Sequence, residues 1–590
     1  MSNKTFKDPI YGYIEIDSDI VHDVIDTATF QRLRNIRQTS YGPLYPGALH
    51  NRFIHSLGVF HLGKMAFRAL RNSFVENKEK YTSNFKDFPE DWTRWQELFE
   101  LACLLHDVGH SPFSHTGEEF YKNSRSAVTI QVDESPFQKR LDAAETEEEK
   151  ENIRKELEER KKYTWRKHLA QLTGDEVFIS AEAEIPAAHE IMSCVVALEF
   201  FGEKYSDEER SFFARCITGL QYKDAMRTKG TDYEGIVGET YYEVRKRTLL
   251  NCFIQLLHAP VIDVDRLDYI IRDASTIGYQ SVSVDYERLL KGFTLVPIDE
   301  YGVAVGFHKN AISVIENAVY AHDNEKKWVQ SHPTILYDSY LLGRSIVYIE
   351  NKIREDYPNA PSTLFSYDSL TDGGSTFEAE RKNTIKVRFL GDADLLHLMK
   401  NVYVNSYSEE YFKRNTRRLP LWKSEAEFLS FLPPEDRELI TRVAHGIETN
   451  PQQGSIEIND TILEKYNADV DPKYKNPILD ETREKAKRYI SAILNICDKY
   501  GVARSVVLLS ASFFTSNFAK GEVEKLWILF PGGEPRQLGK VSPILSGENK
   551  KEQKGENLYY IFYYPKEGRQ KVEARQFAKD IITALRACDS

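Results

Sequence analysis

Apolar residues recur at three- and four-residue spacings through most of the first 360 positions. The pattern predicts helices over 19–39, 52–77, 92–107, 188–203, 208–221, 242–257, 264–273 and 309–355. Strand-like alternation is sparse there. VAVGF (303–307) is a short candidate, and residues 1 to about 20 read as an extended lead-in with DPIYG as its turn. The stretch KRLDAAETEEEKENIRKELEERKK (139–162) has opposite charges four residues apart and few apolar positions. It reads as a solvated helix or hairpin within a charged insertion over 121–180.

After position 360 the pattern changes. YPNAPSTLFSYDSLTDGGSTF (357–377) is rich in Pro, Ser, Gly and Asp and predicts a boundary loop. Strand signals follow in TIKVRFLG (384–391), SVVLLSA (505–511), KLWILFPG (525–532) and NLYYIFYYP (557–565), with helical patterns at 479–499 and 572–587 and a polar tip at 547–557. The expected architecture is mainly α: a helical core over 1–360 and an α+β lobe over 361–590, serving oligomerisation or regulation.

Composition narrows the function classes. The net charge is −12, which argues against a general electrostatic grip on nucleic acid or anionic membrane while leaving room for a local basic pocket. The six cysteines form no CxxC pair, as expected of buried thiols in a reducing compartment. There is no apolar signal core at the start and no long apolar run, so the expected location is cytoplasmic, without membrane attachment.

The chemistry concentrates in CLLHDVGHSPFSH (103–115), where an apolar helix delivers His106 and Asp107 to its C-terminal end before Gly109 and Pro112 break it. Histidines and aspartates emerging together from a buried helix are costly unless they find partners. HNRFIHSLGV places His55 near the start of a second amphipathic helix, and IDVDRLDYIIRD supplies a third. At 100° per residue Asp265, Tyr269 and Asp273 fall within about 80° of one another on that third helix, while Leu267, Ile270 and Ile271 can face the core.

These three segments, in this order, resemble the motifs of the HD-domain phosphohydrolases, specifically the deoxynucleoside triphosphate triphosphohydrolases that include the vertebrate SAM-and-HD-domain enzyme. The resemblance implies an HD-domain helical core that binds a divalent metal (Fe, Mn, Zn or Mg) through His55, His106, Asp107 and Asp265, with Mg on the substrate phosphates. It implies catalytic roles for His110, His115, His189, Asp107 and Asp265, and substrate contacts from Gln38, Arg52, Asp263, Arg266, Tyr269 and Asp273. The implied reaction is attack of water on the α-phosphorus of a dNTP, releasing a deoxynucleoside and intact triphosphate. The arginines are suited to phosphate oxygens and the histidines to protonating the leaving 5′-oxygen.

The segments DPIYGYIEI and VIDTATFQRLRNIRQ further resemble the family's guanine-nucleotide activator site, implying that Asp26, Gln31 and Arg34 read GTP or a dNTP in a nucleotide-bridged homodimer or homotetramer. Antiphage depletion of dNTP is one setting for such an activity. The stretch HDNEKKWVQSHPTIL (322–336) departs from the family. Gln330 to Pro333 stand where a sugar-packing tyrosine and a His-Lys pair are expected, which leaves the choice of sugar open. Lys326 or Lys327 could supply phosphate charge instead, and Tyr337 or Tyr340 could fill the pocket. The alternative function is an HD-type nuclease or phosphodiesterase acting on nucleic acid or a cyclic nucleotide; the acidic balance weighs against it.

Overall fold

The computed structural model describes residues 3–40, 42, 44–76, 92–122, 141, 144, 149–151, 153–154, 165–180, 183–222, 239–279, 283–297, 303–356, 364–379, 383–447, 455–467, 477–532, 534–542, 544–545, 558–566 and 570–589. Most of the charged stretch 139–162, the first part of the boundary loop and the polar tip 547–557 lie outside the described residues.

The protein is mainly α-helical with small sheets. It divides into two compact units, Met1–Glu325 with Ser345–Val404 and Ser516–Glu548, and Lys326–Arg344 with Asn405–Thr515 and Asn549–Ser590. The composition change near 360 therefore falls inside the first unit and does not mark the division.

In the first unit a hairpin of β1 (Asn3–Asp8) and β2 (Gly12–Asp17) replaces the simple extended lead-in, pairing Asn3 with Asp17 through to Asp8 with Gly12. The stretch 19–39 is not one helix. It breaks into short turns, including Ala28–Gln31 and Arg32–Asn35, because its side chains are tied to backbone partners elsewhere in the unit. The site is carried by α1 (Arg52–Glu76), α2 (Trp92–Leu105), α3 (His115–Lys122), α4 (Trp165–Thr173), α5 (Ala188–Phe201), α6 (Asp207–Thr218), α7 (Glu239–Leu257) and α8 (Val264–Ile277).

Helix α1 is held close to α2 and α8 by glycines. A Cβ on Gly63 would meet Cys103 Sγ at 2.5 Å, and one on Gly58 would meet Asp268 Oδ1 at 1.9 Å. Filling such a contact typically costs about 1–3 kcal/mol. Buried Phe60, Phe67, Leu70, Phe99, Leu104 and Phe253 form the apolar seam behind the site, each such burial contributing about 1.5–3 kcal/mol.

The strand candidate VAVGF is β4 (Val303–His308), antiparallel to β3 (Phe293–Pro297). On its other side β4 pairs in parallel with Trp527–Leu529, so chain from the C-terminal half completes a sheet of the first unit. The helical run predicted for 309–355 is interrupted at Ser331–His332, where Pro333 starts a new helix.

The second unit is an antiparallel sheet of Leu419–Pro420, Leu558–Tyr563, Ser505–Ala511 and Ser455–Asn459, in that order. Its core joins Val506, Leu508 and Ile561 to Val443, Ile490, Leu494, Phe577 and Ile581 of the helices Pro434–Ile447, Pro477–Tyr500 and Ala574–Asp589. Tyr337 belongs to this core, stacked on Phe562 at 4.1 Å and donating to Glu410 at 2.7 Å. That commits it to structure rather than to a nucleotide pocket.

Candidate metal centre and active site

Three helix ends meet in the first unit. His55 lies in the first turn of α1, whose start is fixed by the Asn51 carboxamide accepting from Ile54 N at 3.2 Å. His106 and Asp107 lie in the turn that ends α2, and Asp265 in the first turn of α8. Asp263 caps α8 by accepting from Arg266 N at 2.6 Å, so the cap aims the helix and leaves Asp265 free to face inward.

The donor atoms converge. His55 Nε2 is 2.9 Å from Asp265 Oδ1, 3.3 Å from His106 Nε2 and 3.6 Å from Asp107 Oδ2. His106 Nε2 is 3.4 Å from Asp265 Oδ1 and 3.5 Å from Asp107 Oδ2. A first-row cation about 2.0–2.2 Å from each donor, at right or tetrahedral angles, sets donors roughly 2.8–3.6 Å apart.

The surrounding bonds fix the imidazoles' orientation. His106 Nδ1 lies 2.9 Å from the Cys103 carbonyl, which can only accept, so this nitrogen carries the proton and Nε2 presents a lone pair. His55 Nδ1 lies 2.7 Å from Asp268 Oδ2. Burial would raise Asp268, but Arg272 beside it and the bond from His55 hold its carboxyl well below the usual range, so His55 Nδ1 donates. The lone pair of His106 Nε2 and the carboxylates of Asp107 and Asp265 then surround His55 Nε2, whose proton a divalent cation would displace, an arrangement that fits such an ion. Asp107 is likewise kept ionised against its burial by Arg52, whose Nη1 donates to Oδ2 at 2.6 Å, and by the two histidines.

Behind His55 the support reaches the N-terminal hairpin. Arg272 donates to both oxygens of Asp268 at 2.8 and 2.9 Å and to Asp8 Oδ2 at 3.0 Å, and Tyr11 Oη donates to Asp268 Oδ1 at 2.7 Å.

Next to this cluster the turn 110–115 brings three more histidines together. His110 stacks on His189 with ring centroids 4.5 Å apart, and His115 stands edge-on to both. Glu118 is the hub: Oε2 bonds His115 Nδ1 and Oε1 pairs with His189 Nδ1, each at 3.0 Å. Both bonds, against burial, keep Glu118 ionised far below the usual range; burial opposes a proton on His189, but Glu118 raises its affinity for one. His110 is buried with neither ring nitrogen hydrogen-bonded among the described residues, and burial holds it neutral. His115 is exposed, 72 % at its side chain, and so faces the opening. Glu118, Asp268, Arg272 and Tyr11 were not singled out from sequence. Two of them carry a signal in spacing, since Glu118 follows His115 by three residues and Asp268 follows Asp265 by three; Arg272 and Tyr11 carry none.

The other predicted site residues divide. Gln38 is buried, and its side-chain oxygen has no hydrogen-bond partner among the described residues. Tyr269 is half-buried beside His322, with ring centroids 6.2 Å apart. Arg52 commits Nη1 to Asp107 and Nε to Ser114 Oγ, and Arg266 commits Nη1 to the Pro260 carbonyl. Asp273 does not share the half-buried face of Asp265 and Tyr269. It is buried against His50 Nε2 at 2.6 Å, and burial lifts its carboxyl to about 7.

Asp26, Gln31 and Arg34 lie in one surface region. Arg34 Nε donates to Gln31 Oε1 at 2.7 Å and its guanidinium covers the Phe53 ring at 3.6 Å, while Lys4 pairs with Asp26 at 3.4 Å. No helix among the described residues is long and apolar enough to cross a membrane.

Comparison with known proteins agrees with this geometry. Residues 52–175 match the model of the HD domain family. The chain is 42% identical over 113 residues to the mouse deoxynucleoside triphosphate triphosphohydrolase SAMHD1, a match covering 19% of this chain and 15% of that protein. It is 29% identical over 298 residues to human SAMHD1, covering 50% and 37%. It is also 39% identical over 120 residues to the uncharacterized protein YwfO of Bacillus subtilis (strain 168), covering 20% and 24%. The chain thus spans well under half the length of these curated relatives. A hypothetical protein from Aquifex aeolicus shares the fold at 17% identity, with a TM-score of 0.50 over 99% of this chain and 100% of that one. The chain therefore contains an HD domain and is related in sequence to the deoxynucleoside triphosphate triphosphohydrolases.

Proposed function

We propose that this protein is a metal-dependent hydrolase that cleaves dNTP to a deoxynucleoside and triphosphate, using His55, His106, Asp107 and Asp265 as metal ligands. The observation that carries the reading is the convergence of donor atoms of Asp107, Asp265 and His106 within 2.9–3.6 Å of His55 Nε2, beside a second histidine cluster. A bound divalent ion supplies Lewis acidity and lowers the pKa of water at the site.

The remaining work falls to the chain. Asp107, ionised and steered by Arg52, orients the attacking water. His115, at the opening and held by Glu118, has its own proton affinity lowered by desolvation, so it relays to the 5′-oxygen a proton supplied by His189, raised by the same carboxylate, as the bond to the α-phosphorus breaks. Buried, neutral His110 donates to a phosphoryl oxygen, which satisfies its otherwise unpaired ring. Gln38 offers its buried amide oxygen to the nucleotide base, and Tyr269 and Arg266 of α8 contact the substrate. The balance is one water consumed, its oxygen joined to phosphorus, one of its protons ending on the deoxynucleoside 5′-oxygen and the other on triphosphate or in solvent. Asp26, Gln31 and Arg34 form an activator site for GTP or a dNTP, coupled to assembly of a homodimer or homotetramer.

The test is to incubate the pure protein, loaded with Mn or Fe, with each dNTP and NTP, with and without added GTP, and to resolve the products by anion exchange. Triphosphate with deoxynucleoside supports the proposal. Pyrophosphate or a monophosphate points to another phosphohydrolase, and cut oligonucleotides with untouched dNTP point to a nuclease.

A further inference from the structure

Among the described residues three non-glycine residues have positive φ: Phe113 at 56°, Ser114 at 53° and Phe389 at 51°. Left-handed backbone is unfavourable for side-chain-bearing residues and persists only where the surroundings enforce it. All three sit at one place. Phe113 and Ser114 form the turn that carries the chain from His110 to His115, and Phe389 opens the segment that packs against it.

The enforcement comes from two buried charged residues distant in sequence from that turn. Asp392 accepts from Phe113 N through Oδ1 at 2.8 Å and from Arg37 N through Oδ2 at 3.0 Å. Arg32 donates to the carbonyls of Val108 at 2.7 Å, His110 at 2.9 Å and Leu390 at 3.0 Å. They are 6 % and 2 % exposed. Ser114 Oγ closes the ring by donating to the Arg37 carbonyl at 2.5 Å and accepting from Arg52 Nε at 3.1 Å. Gly391 permits the approach, since a Cβ there would lie 2.9 Å from Asn35 Cβ. Neither Arg32 nor Asp392 touches the donors that converge on the cation point.

We infer that Asp392, with Arg32 as its counterpart, is a positioning residue for the reaction: it clamps the left-handed turn Phe113–Ser114 and thereby sets His110 and His115 against the substrate. The inference rests on the proposed function for the identity of the reaction, but the clamp itself does not. It acts directly on the histidine turn and reaches a metal ligand only indirectly, through Ser114 Oγ and Arg52 to Asp107, so metal content is read alongside activity to separate the two.

The experiment compares the full chain, metal-loaded, as wild type, Asp392→Ala and Asp392→Asn. The alanine variant loses both backbone bonds. The asparagine variant keeps one acceptor oxygen, so it loses one of the two and serves if the alanine variant fails to fold. Three quantities are read: amide hydrogen exchange over 108–116, bound metal per chain, and kcat and KM for triphosphate release. The expected result is faster exchange confined to that turn, unchanged metal content, and kcat per bound metal reduced by about 100-fold in the alanine variant and less in asparagine, with KM little changed. Wild-type exchange over 108–116 overturns the inference. So does faster exchange with wild-type kcat per bound metal, and so does a fall in activity that only follows lost metal. If the wild type releases no triphosphate from any dNTP, the functional reading fails separately. The exchange comparison then decides the clamp alone: acceleration confined to the turn upholds it, and none refutes it.

Discussion

His55 and His106 meet Nε2 to Nε2 at 3.3 Å, with both Nδ1 atoms already bonded, to Asp268 and to the Cys103 carbonyl. Two lone pairs at that distance repel unless a positive charge lies between them. Burial disfavours a proton on His55, but its bonds to Asp265 and Asp268 lift its pKa to about 9. A divalent cation competes for the place of that proton. Metal binding at pH 7 is therefore expected to release close to one proton, and the affinity to tighten as pH rises toward 9. Calorimetry in buffers of different ionisation enthalpy measures the release; zero protons displaced would contradict the assignment of His55.

Asp268 holds His55 in register without reaching the cation point itself. Asp268→Asn leaves the carboxamide's shape but removes the charge that aligns His55 Nδ1. Metal affinity is expected to fall about 10–100-fold, with the fold retained because Arg272 still bonds Asp8. Metal titration with circular dichroism on the same samples checks both halves.

Glu118 binds His115 and His189 at once. Glu118→Gln is expected to lower kcat about 100-fold without changing bound metal. Loss of the charge lowers the proton affinity of His189, so the alkaline limb of the kcat–pH profile should move to lower pH. A profile with an unmoved alkaline limb would remove Glu118 from the proton path.

His258 pairs with Glu190 at 3.1 Å, linking the loop before Asp263 to the helix that carries His189. Burial works against its protonation, but Glu190 raises it from 6.5 to about 9. A histidine raised on folding stabilises fully below its unfolded pKa, so this contribution is complete below pH 6.5 and fades as pH passes 9. The pair is half-exposed, which limits it to about 1 kcal/mol or less. Melting temperatures of wild type and Glu190→Gln should differ at pH 6 and converge near pH 10.

How much of this was legible along the chain depends on distance. The stretch 103–115 announces chemistry because its histidines are neighbours in sequence, and of the three α8 residues that the 3.6-residue period turns to the core, Leu267 and Ile270 are buried while Ile271 is half-buried. The links that support the site are not local. Tyr11 reaches Asp268 across 257 residues, and Asp392 reaches Phe113 across 279; no periodicity encodes either. Asp273 shares a helical face with Asp265 by angle, yet His50, far back along the chain, draws it into the interior. Glu118 reads as an ordinary acid in a first helical turn until α5 brings His189 to its other oxygen. The strand Trp527–Leu529 was visible, but its parallel partner β4 lies more than 200 residues away, so its place in the first unit was hidden.

The central claim is that four side chains hold one cation. Crystals of the manganese-loaded protein, measured across the metal's absorption edge, test it directly. The account predicts one anomalous peak about 2.0–2.2 Å from His55 Nε2, His106 Nε2 and a carboxylate oxygen each of Asp107 and Asp265. A metal found elsewhere, with these four side chains turned apart, would contradict it.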